Sequence, residues 1–173
     1  MKLIQILQEV ILPSNLKILL AKLTDEKEDE NKGYTRLGSG DNGIALQKGN
    51  QVLKLTTDID ELKHAKKLLN HSFNSVIPIK KVEILGPKSG VIEMVVAQPL
   101  AEEESKEIAE NGIKAEDYLV YDEELDPGLS DKLKEFLIDL KEAFIKSGIN
   151  PDEIDWSPNN IMNFQGRYVL VDV

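Results

Sequence analysis

The chain has 173 residues, of which 41% are hydrophobic and 30% charged, a balance typical of a folded globular domain rather than a disordered chain. It contains no cysteine, which excludes disulfides, thiol catalysis and thiolate metal sites and agrees with a cytoplasmic location. Because the net charge of −10 repels phosphate backbones, we expect no general binding to nucleic acid.

The first segment, residues 1–23, is rich in aliphatic residues, but polar side chains interrupt it throughout. No apolar run reaches the roughly 18 residues that a membrane span requires, so we expect no insertion into a membrane. The pattern predicts an amphipathic helix, broken near Pro13, that packs on the rest of the protein; an interfacial or partner-binding helix is the alternative. With the charged linker that follows, it forms an N-terminal segment at 1–32, ahead of a domain at 33–173.

Short runs of apolar and β-branched residues, with glycine-containing turns near them, predict antiparallel strands after the linker. The five predicted strands are 34–37, 44–47, 52–55, 82–85 and 91–97. A helix is predicted after the third strand, because Thr57 or Asp58 can cap it and apolar residues recur on one face from Ile59 to Leu69.

Residues 101–128 are acidic, and we expect them to be irregular apart from one short helix near 105–111. Apolar residues then recur at helical spacing from Leu129 to Phe144, which predicts the clearest helix of the chain. Its expected ends are a cap at Ser130 and a stop at Gly148.

A polar loop at 149–160 precedes a predicted hairpin with strands at 161–164 and 167–171. Strands and helices are thus segregated along the chain. This order predicts an α+β fold rather than a parallel sheet.

A glycine-rich turn lies between the first two predicted strands and consists of Gly38, Ser39, Gly40, Asp41, Asn42 and Gly43. The same spacing occurs in dinucleotide-binding folds, but there a helix must begin at the last glycine to meet the pyrophosphate. Here a short strand follows Gly43 instead. A glycine loop between antiparallel strands favours a cover over ATP phosphates, with a plain turn that binds no ligand as the alternative.

Lys54 lies inside an apolar predicted strand, so its ammonium group must reach water or an anion. It is either an edge-strand lysine that faces solvent or a lysine that reaches the phosphates of a nucleotide. The second role requires a carboxylate to hold the lysine, and Glu61 is the candidate, with Glu93 and Asp60 as substitutes. Glu61 could equally be the capping-box partner of Asp58.

The C-terminal part contains the pattern D-x-x-P-x-N from Asp155 to Asn160, and Asp172 ends the last apolar strand. Asp155 can orient a hydroxyl group or a water molecule, and the oxygens of Asn160 and Asp172 suit Mg²⁺. Turn-forming roles for Asp155 and Asn160, and a merely charged chain end at Asp172, are the alternatives.

The order of glycine loop, strand lysine, D-x-x-P-x-N loop and strand-end aspartate resembles the protein-kinase-like superfamily, in particular the very short kinase-like proteins of bacteriophages and bacteria. The resemblance covers the chain from about Tyr34 onward. It implies a kinase-like N-lobe, made of a twisted antiparallel sheet and one helix, with a minimal helical and hairpin C-terminal part. It also implies ATP and Mg²⁺ as cofactors.

The resemblance also implies residue roles. Lys54 would contact the phosphates while Glu61 holds it, and Asp155 would be the catalytic aspartate. Asn160 and Asp172 would bind the metal. The remaining ATP-binding residues would come from the glycine loop and from a hinge at 95–100: Leu37, Gly38, Ser39, Gly40, Asp41, Asn42, Gly43, Val96 and Gln98.

The chain also departs from the family pattern. Glu153 and Ile154 stand where the catalytic-loop His-Arg is usual, and Ser157 replaces a common loop lysine. Because only Val173 follows Asp172, we expect no activation segment and no helical C-terminal lobe, and we expect a partner protein or the chain itself to be the phosphate acceptor. Three hypotheses follow: a minimal phosphotransferase, a weak or inactive pseudokinase that acts as a protein-interaction or inhibitory module, or a binding protein that kept the fold and lost the nucleotide.

Overall fold

The computed structural model describes residues 35–39, 43–86, 89–155 and 157–172. The predicted N-terminal segment at 1–32 therefore lies outside the described residues. The described chain divides into two compact units. The first contains 35–69 and 79–96, and the second contains 70–78 and 97–172.

The first unit is built on a five-stranded antiparallel sheet with the order β1-β2-β3-β5-β4. The strands are β1 (Thr35–Ser39), β2 (Gly43–Lys48), β3 (Gln51–Thr56), β4 (Ile79–Gly86) and β5 (Ser89–Val95). Helix α1 (Ile59–Leu68) follows β3 in the chain. The predicted α+β fold, with a kinase-like sheet and helix, is confirmed, although β4 begins earlier than predicted.

Helix α1 starts where the sequence predicts it. The Asp58 side chain accepts hydrogen bonds from the backbone N–H groups of Asp60 (2.9 Å) and Glu61 (3.2 Å). These bonds satisfy two of the donors that a helix N-terminus leaves without intrahelical partners. The Asp58 cap therefore fixes which residues fall in the first turn of the helix, Glu61 among them.

The apolar face of α1 packs closely on the sheet. Leu62, Ala65 and Leu68 are exposed by no more than 3%. At Gly90 of β5, a Cβ atom would lie 2.6 Å from Leu62 Cδ2 and 2.7 Å from the backbone oxygen of Glu83. Only glycine permits this approach, because real Cβ contacts of that length do not occur.

The second unit combines helices with a hairpin. Its elements are α2 (Glu102–Val120), α3 (Asp131–Ser147), two short 3-10 helices (Pro151–Glu153 and Pro158–Asn160), β6 (Ile161–Phe164) and β7 (Arg167–Leu170). The Ser130 hydroxyl accepts from Leu133 N–H at 3.2 Å, and Gly148 ends α3 with a left-handed φ of +63°. Helix α3 and the hairpin are therefore as predicted.

Residues 75–77 extend the hairpin on the outer side of β7. Leu170 N–H donates to the Ser75 carbonyl (2.8 Å), and Ile77 N–H donates to the Leu170 carbonyl (3.0 Å). Tyr168 links the hairpin to α2, because its hydroxyl donates to a Glu107 carboxylate oxygen at 3.0 Å. Burial, and then the Glu107 carboxylate, raise the pKa of Tyr168 above its usual range.

The expectation of an irregular stretch at 101–128 was wrong, because α2 runs from Glu102 to Val120. Acidic side chains dominate the segment and hide a weak apolar stripe. Ile108, Ala115 and Leu119 form this stripe and are buried. The spacing places all three on one helical face.

Contacts from outside the helix stabilise α2. The Glu104 carboxylate accepts from Ala101 N–H (3.0 Å) at the helix start and binds Lys132 of α3 (2.6 Å). Lys132, and then the Ala101 N–H, hold the pKa of Glu104 below its usual value. At the other end, Lys141 of α3 donates to the Tyr118 carbonyl at 2.8 Å. Within the described ranges, no helix has both the length and the apolar character that crossing a membrane requires.

Two glycine substitutions test this packing. Gly90→Ala should lower the free energy of unfolding by about 1–3 kcal/mol, because the added methyl group overpacks the contact between α1 and β5. Gly112 lies inside α2, where a Cβ would meet no atom of the described chain within 4 Å. Gly112→Ala should therefore raise the free energy of unfolding by about 0.5–1 kcal/mol. Urea denaturation followed by circular dichroism measures both. Equal stability of the two variants would contradict the close approach at Gly90.

Candidate functional site

Lys54 and Glu61 form an ion pair on the sheet of the first unit. Lys54 Nζ lies 2.6 Å from Glu61 Oε1, and the two side chains are 18% and 7% exposed. Lys54 is in β3, where its backbone pairs with Ala45 of β2 and Ile92 of β5. Because β3 has neighbours on both sides, the edge-strand interpretation of Lys54 is wrong.

The alternative carboxylates are engaged elsewhere. Asp60 binds Lys63 on the exposed side of α1 at 2.7 Å, and Lys63 holds the pKa of Asp60 below its usual value. Glu93 Oε1 accepts from the side chain of Gln51 at 2.9 Å. Of the three acidic residues considered from the sequence, Glu61 is thus the one that the structure pairs with Lys54.

The predicted glycine loop is described at its two ends. Leu37, Gly38 and Ser39 belong to β1, and Gly43 is the first residue of β2. Gly40, Asp41 and Asn42 lie outside the described residues. A strand rather than a helix follows Gly43, which excludes the dinucleotide-binding interpretation.

The two described glycines of this loop have different surroundings. A Cβ on Gly43 would lie 2.6 Å from the Leu55 carbonyl oxygen, so the β2–β3 backbone approach requires glycine there. A Cβ on Gly38 would meet no atom of the described residues within 4 Å. Packing against the described chain therefore explains the glycine at 43 and leaves the one at 38 unexplained.

The loop from Asp155 to Asn160 lies in the second unit and is closed by its own hydrogen bonds. Asp155 Oδ1 accepts from Ser157 N–H at 3.0 Å, and the side-chain amide of Asn160 donates to the Asp155 carbonyl at 3.1 Å. Ser157 also accepts from Asn159 N–H at 3.3 Å and so caps the following 3-10 helix. This turn leaves the Asp155 side chain at the surface.

Asn160 and Asp172 are brought together by the backbone. Val171 N–H donates to the Asn160 carbonyl at 2.9 Å, directly before Asp172. This bond brings the chain positions of the two predicted metal ligands close together in the second unit. An amide oxygen and a carboxylate are donors that fit Mg²⁺, which takes oxygen ligands and completes its shell with phosphates and water. Among the described residues, no group of three or more His, Cys, Asp or Glu side chains could hold a metal ion.

The predicted hinge spans the point where the chain leaves the first unit, after Val96. Gln98 lies beyond that point and forms an antiparallel bridge with Asn163 of β6. Gln98 N–H donates to the Asn163 carbonyl, and Asn163 N–H donates to the Gln98 carbonyl, both at 2.8 Å. The Gln98 N–H is therefore committed to the hairpin.

Sequence reasoning missed a contact that holds this hairpin in place. The backbone N–H and the hydroxyl of Ser75 both donate to Asp139 Oδ2 of α3, at 2.7 and 2.6 Å. Both residues also line a cavity of about 470 Å³ in the second unit, which contains none of the predicted site residues. No sequence pattern signals a pair so far apart in the chain.

No protein-family model matches the chain, and no curated protein matches it. The aminoglycoside phosphotransferase APH(4)-Ia matches with a TM-score of 0.44 and 14% identity, covering 90% of this chain and 70% of that chain. A ternary complex of a thermostable mutant of that enzyme with AMP-PNP and hygromycin B matches with a TM-score of 0.43 and 10% identity, covering 92% and 71%. A similarity this distant assigns no role to any residue of this chain.

The ion pair can be tested through stability. Glu61→Ala should lower the free energy of unfolding by about 1–3 kcal/mol, because it removes the carboxylate beside a largely buried ammonium group. The double variant Lys54→Met with Glu61→Leu should recover most of this loss, since an apolar pair of similar volume can replace a buried ion pair.

The control is the exposed Asp60, whose replacement by Ala should change stability little. Urea denaturation of the four proteins, wild type included, gives the comparison. A double variant that is less stable than Glu61→Ala would contradict the assignment of the pair.

Proposed function

We propose that this protein binds ATP with Mg²⁺ and transfers a phosphoryl group from it. The observation that carries the proposal is the Lys54–Glu61 pair on the central strand β3. The strand beside it, β2, begins at the glycine loop. An ammonium group held by a carboxylate next to a glycine loop is the arrangement that kinase-like proteins use for ATP phosphates.

Lys54 is the proposed contact to the α- and β-phosphates. The Lys54 side chain is 18% exposed, so part of it is accessible, whereas the Glu61 side chain is only 7% exposed. The carboxylate can therefore orient the ammonium group without itself meeting the ligand. Glu61 is thus a positioning residue in this proposal, and Lys54 is the residue that touches the nucleotide.

The glycine loop is the proposed cover over the phosphates. The open space that the described residues leave around Gly38 supports this role, because a missing side chain lets a ligand approach the backbone closely. Leu37 is 51% exposed although it is a large apolar residue, and it is a candidate to contact the base or ribose. Gly40, Asp41 and Asn42 are proposed to complete the loop with their backbone N–H groups.

Asn160 and Asp172 are the proposed Mg²⁺ ligands. When bound, the metal would neutralise the charge of the phosphates, which is the usual division of work in phosphoryl transfer. Asp155 is proposed to accept a hydrogen bond from the acceptor hydroxyl and to orient it. For the adenine we propose the backbone of Val96, because Gln98 N–H is already bound to Asn163.

A second candidate function is a pseudokinase that binds ATP and serves as a protein-interaction or inhibitory module. The specific observation in its favour is Ser157, which caps a 3-10 helix at the position where kinases often place a lysine. Loss of that positive charge weakens the stabilisation of the transferred group. For the active form, we propose a partner protein or the chain itself as acceptor.

Nucleotide binding can be measured by thermal unfolding. ATP with Mg²⁺ should raise Tm, because a ligand that binds only the folded state adds about 2.7 kcal/mol at a hundredfold excess over Kd. Lys54→Ala should reduce the shift, and Asp172→Asn should make it insensitive to Mg²⁺. Lys66→Ala, an exposed lysine of α1, is the matched control and should keep the full shift. Equal shifts in all four proteins would place the nucleotide elsewhere.

Catalysis is separated from binding by Asp155. Asp155→Ala should leave the Tm shift with Mg²⁺-ATP nearly intact and lower phosphoryl transfer by about 10²–10⁴-fold, the usual contribution of a positioned acid or base. Asp152→Ala, an exposed aspartate three residues earlier, is the control and should transfer at the wild-type rate. The assay follows γ-labelled phosphate onto protein and into solution.

Two results would change this assignment. Transfer by Asp155→Ala at the wild-type rate would remove the catalytic role of that residue. ATP binding without transfer by the wild-type protein, alone or with candidate partners, would favour the pseudokinase.

A further inference from the structure

The five-stranded sheet has two faces, and the strand register shows which residues lie on each face. Successive residues of a strand point to opposite faces, and directly paired residues of neighbouring strands share one. Leu55 pairs with Ile44 and Val91, and Leu46 pairs with Leu53. These five aliphatic residues therefore lie on the same side of the sheet, which we call the aliphatic face.

Helix α1 occupies the other face. Lys54 precedes Leu55 in β3 and so points away from the aliphatic face, toward Glu61 of α1. Gly90 precedes Val91 in β5, and its missing side chain is what allows Leu62 of α1 to approach. Both contacts show that α1 covers the face opposite to the aliphatic one.

Four of the five residues of the aliphatic face are nevertheless buried, and Leu53 is half-buried. Leu46 is 0% exposed, Leu55 1%, Ile44 7% and Val91 9%. A sheet face without a second layer leaves its side chains open to water. In the described part of the first unit the helix is α1, and it lies on the wrong side to bury these residues.

We propose that residues 1–23 cover the aliphatic face. Their aliphatic residues recur at helical spacing on both sides of Pro13, with one series at Leu3, Leu7 and Val10 and a second at Leu16, Leu20 and Leu23. Two short apolar stripes joined at a proline could pack side by side on an apolar sheet face that is several strands wide.

The chain length also fits. Residues 24–34 connect the segment to β1, which starts at Thr35. Eleven extended residues span at most about 36 Å, and five strands spaced about 4.8 Å apart form a sheet about 20 Å wide. The linker therefore lets residues 1–23 reach any part of the aliphatic face.

Site-specific spin labelling tests the proposal directly, because the natural chain contains no cysteine. Gln51 is exposed, and its pairing with Lys48 places it at the rim of the aliphatic face. A nitroxide attached to Gln51→Cys should broaden the amide NMR signals of residues 3–23. The matched label at Lys66→Cys, on the exposed side of α1, should broaden them far less.

A second pair of variants tests the apolar contact. Leu7→Asp combined with Leu20→Asp should abolish the broadening from position 51 and raise the fluorescence of the dye ANS several-fold, because the aliphatic face becomes exposed. Gln8→Asp adds a charge between the stripes and should change neither signal. A circular-dichroism spectrum confirms that the sheet of each variant is intact.

A sample that mixes isotope-labelled chains with spin-labelled, unlabelled chains separates contacts within a chain from contacts between copies. Broadening in the uniformly labelled protein but not in the mixed sample is the expected result. Broadening that persists in the mixed sample would assign the face to a second copy and overturn the proposal. Equal broadening from positions 51 and 66, or none from either, would overturn it as well.

Discussion

A lysine in the central strand of an apolar sheet needs a carboxylate beside it, and this constraint organises the first unit. Removing an ammonium group from water costs several kcal/mol, which a partner at 2.6 Å offsets. Glu61 can be that partner because Asp58, three residues earlier, caps the N-terminus of α1 and so sets the first turn of the helix. The same turn brings Leu62 onto Gly90, so the ion pair and the helix–sheet packing fix each other. A shift of the cap by one residue would rotate both side chains away from β3.

In the second unit, hydrogen bonds rather than an ion pair position the proposed site residues. The bond from Val171 N–H to the Asn160 carbonyl places Asn160 and Asp172 at the same end of the hairpin. Residues 75–77 hold β7 from its outer side, and the double hydrogen bond from Ser75 to Asp139 ties that segment to α3. The proposed metal ligands thus lie at the end of a hairpin that these hydrogen bonds hold in place. Asp155, in contrast, lies on a surface turn closed by Ser157 and Asn160. This difference suits their proposed roles, because metal ligands must be fixed and a group that orients an acceptor must be accessible.

The proposed functions use these parts differently. Binding of ATP requires the lysine, the glycine loop and the metal ligands, and a pseudokinase would need no more. Phosphoryl transfer also requires Asp155 to face an acceptor hydroxyl while the developing charge is stabilised. Ser157 contributes a helix cap rather than a positive charge, so any transfer relies on Lys54 and the metal for that stabilisation. Phosphoryl transfer by a protein that binds ATP is therefore the property that distinguishes the phosphotransferase from the pseudokinase.

Local sequence patterns determined most of the elements. Alternation and glycine turns predicted the first strands, and caps at Asp58 and Ser130 with a stop at Gly148 predicted α1 and α3, because these signals act within a few residues. From their order along the chain and the resemblance to kinase-like proteins, the sequence also predicted Lys54, Glu61, Asp155, Asn160 and Asp172 as site residues, and these roles stay predictions. Tertiary structure decided the rest. It chose Glu61 over Asp60 and Glu93 as the partner of Lys54, committed Gln98 to the hairpin, and formed α2 where acidic residues suggested a loop. Each of those outcomes depends on a contact between distant segments, such as Lys132 with Glu104 or Asn163 with Gln98, and such contacts leave no local pattern to read.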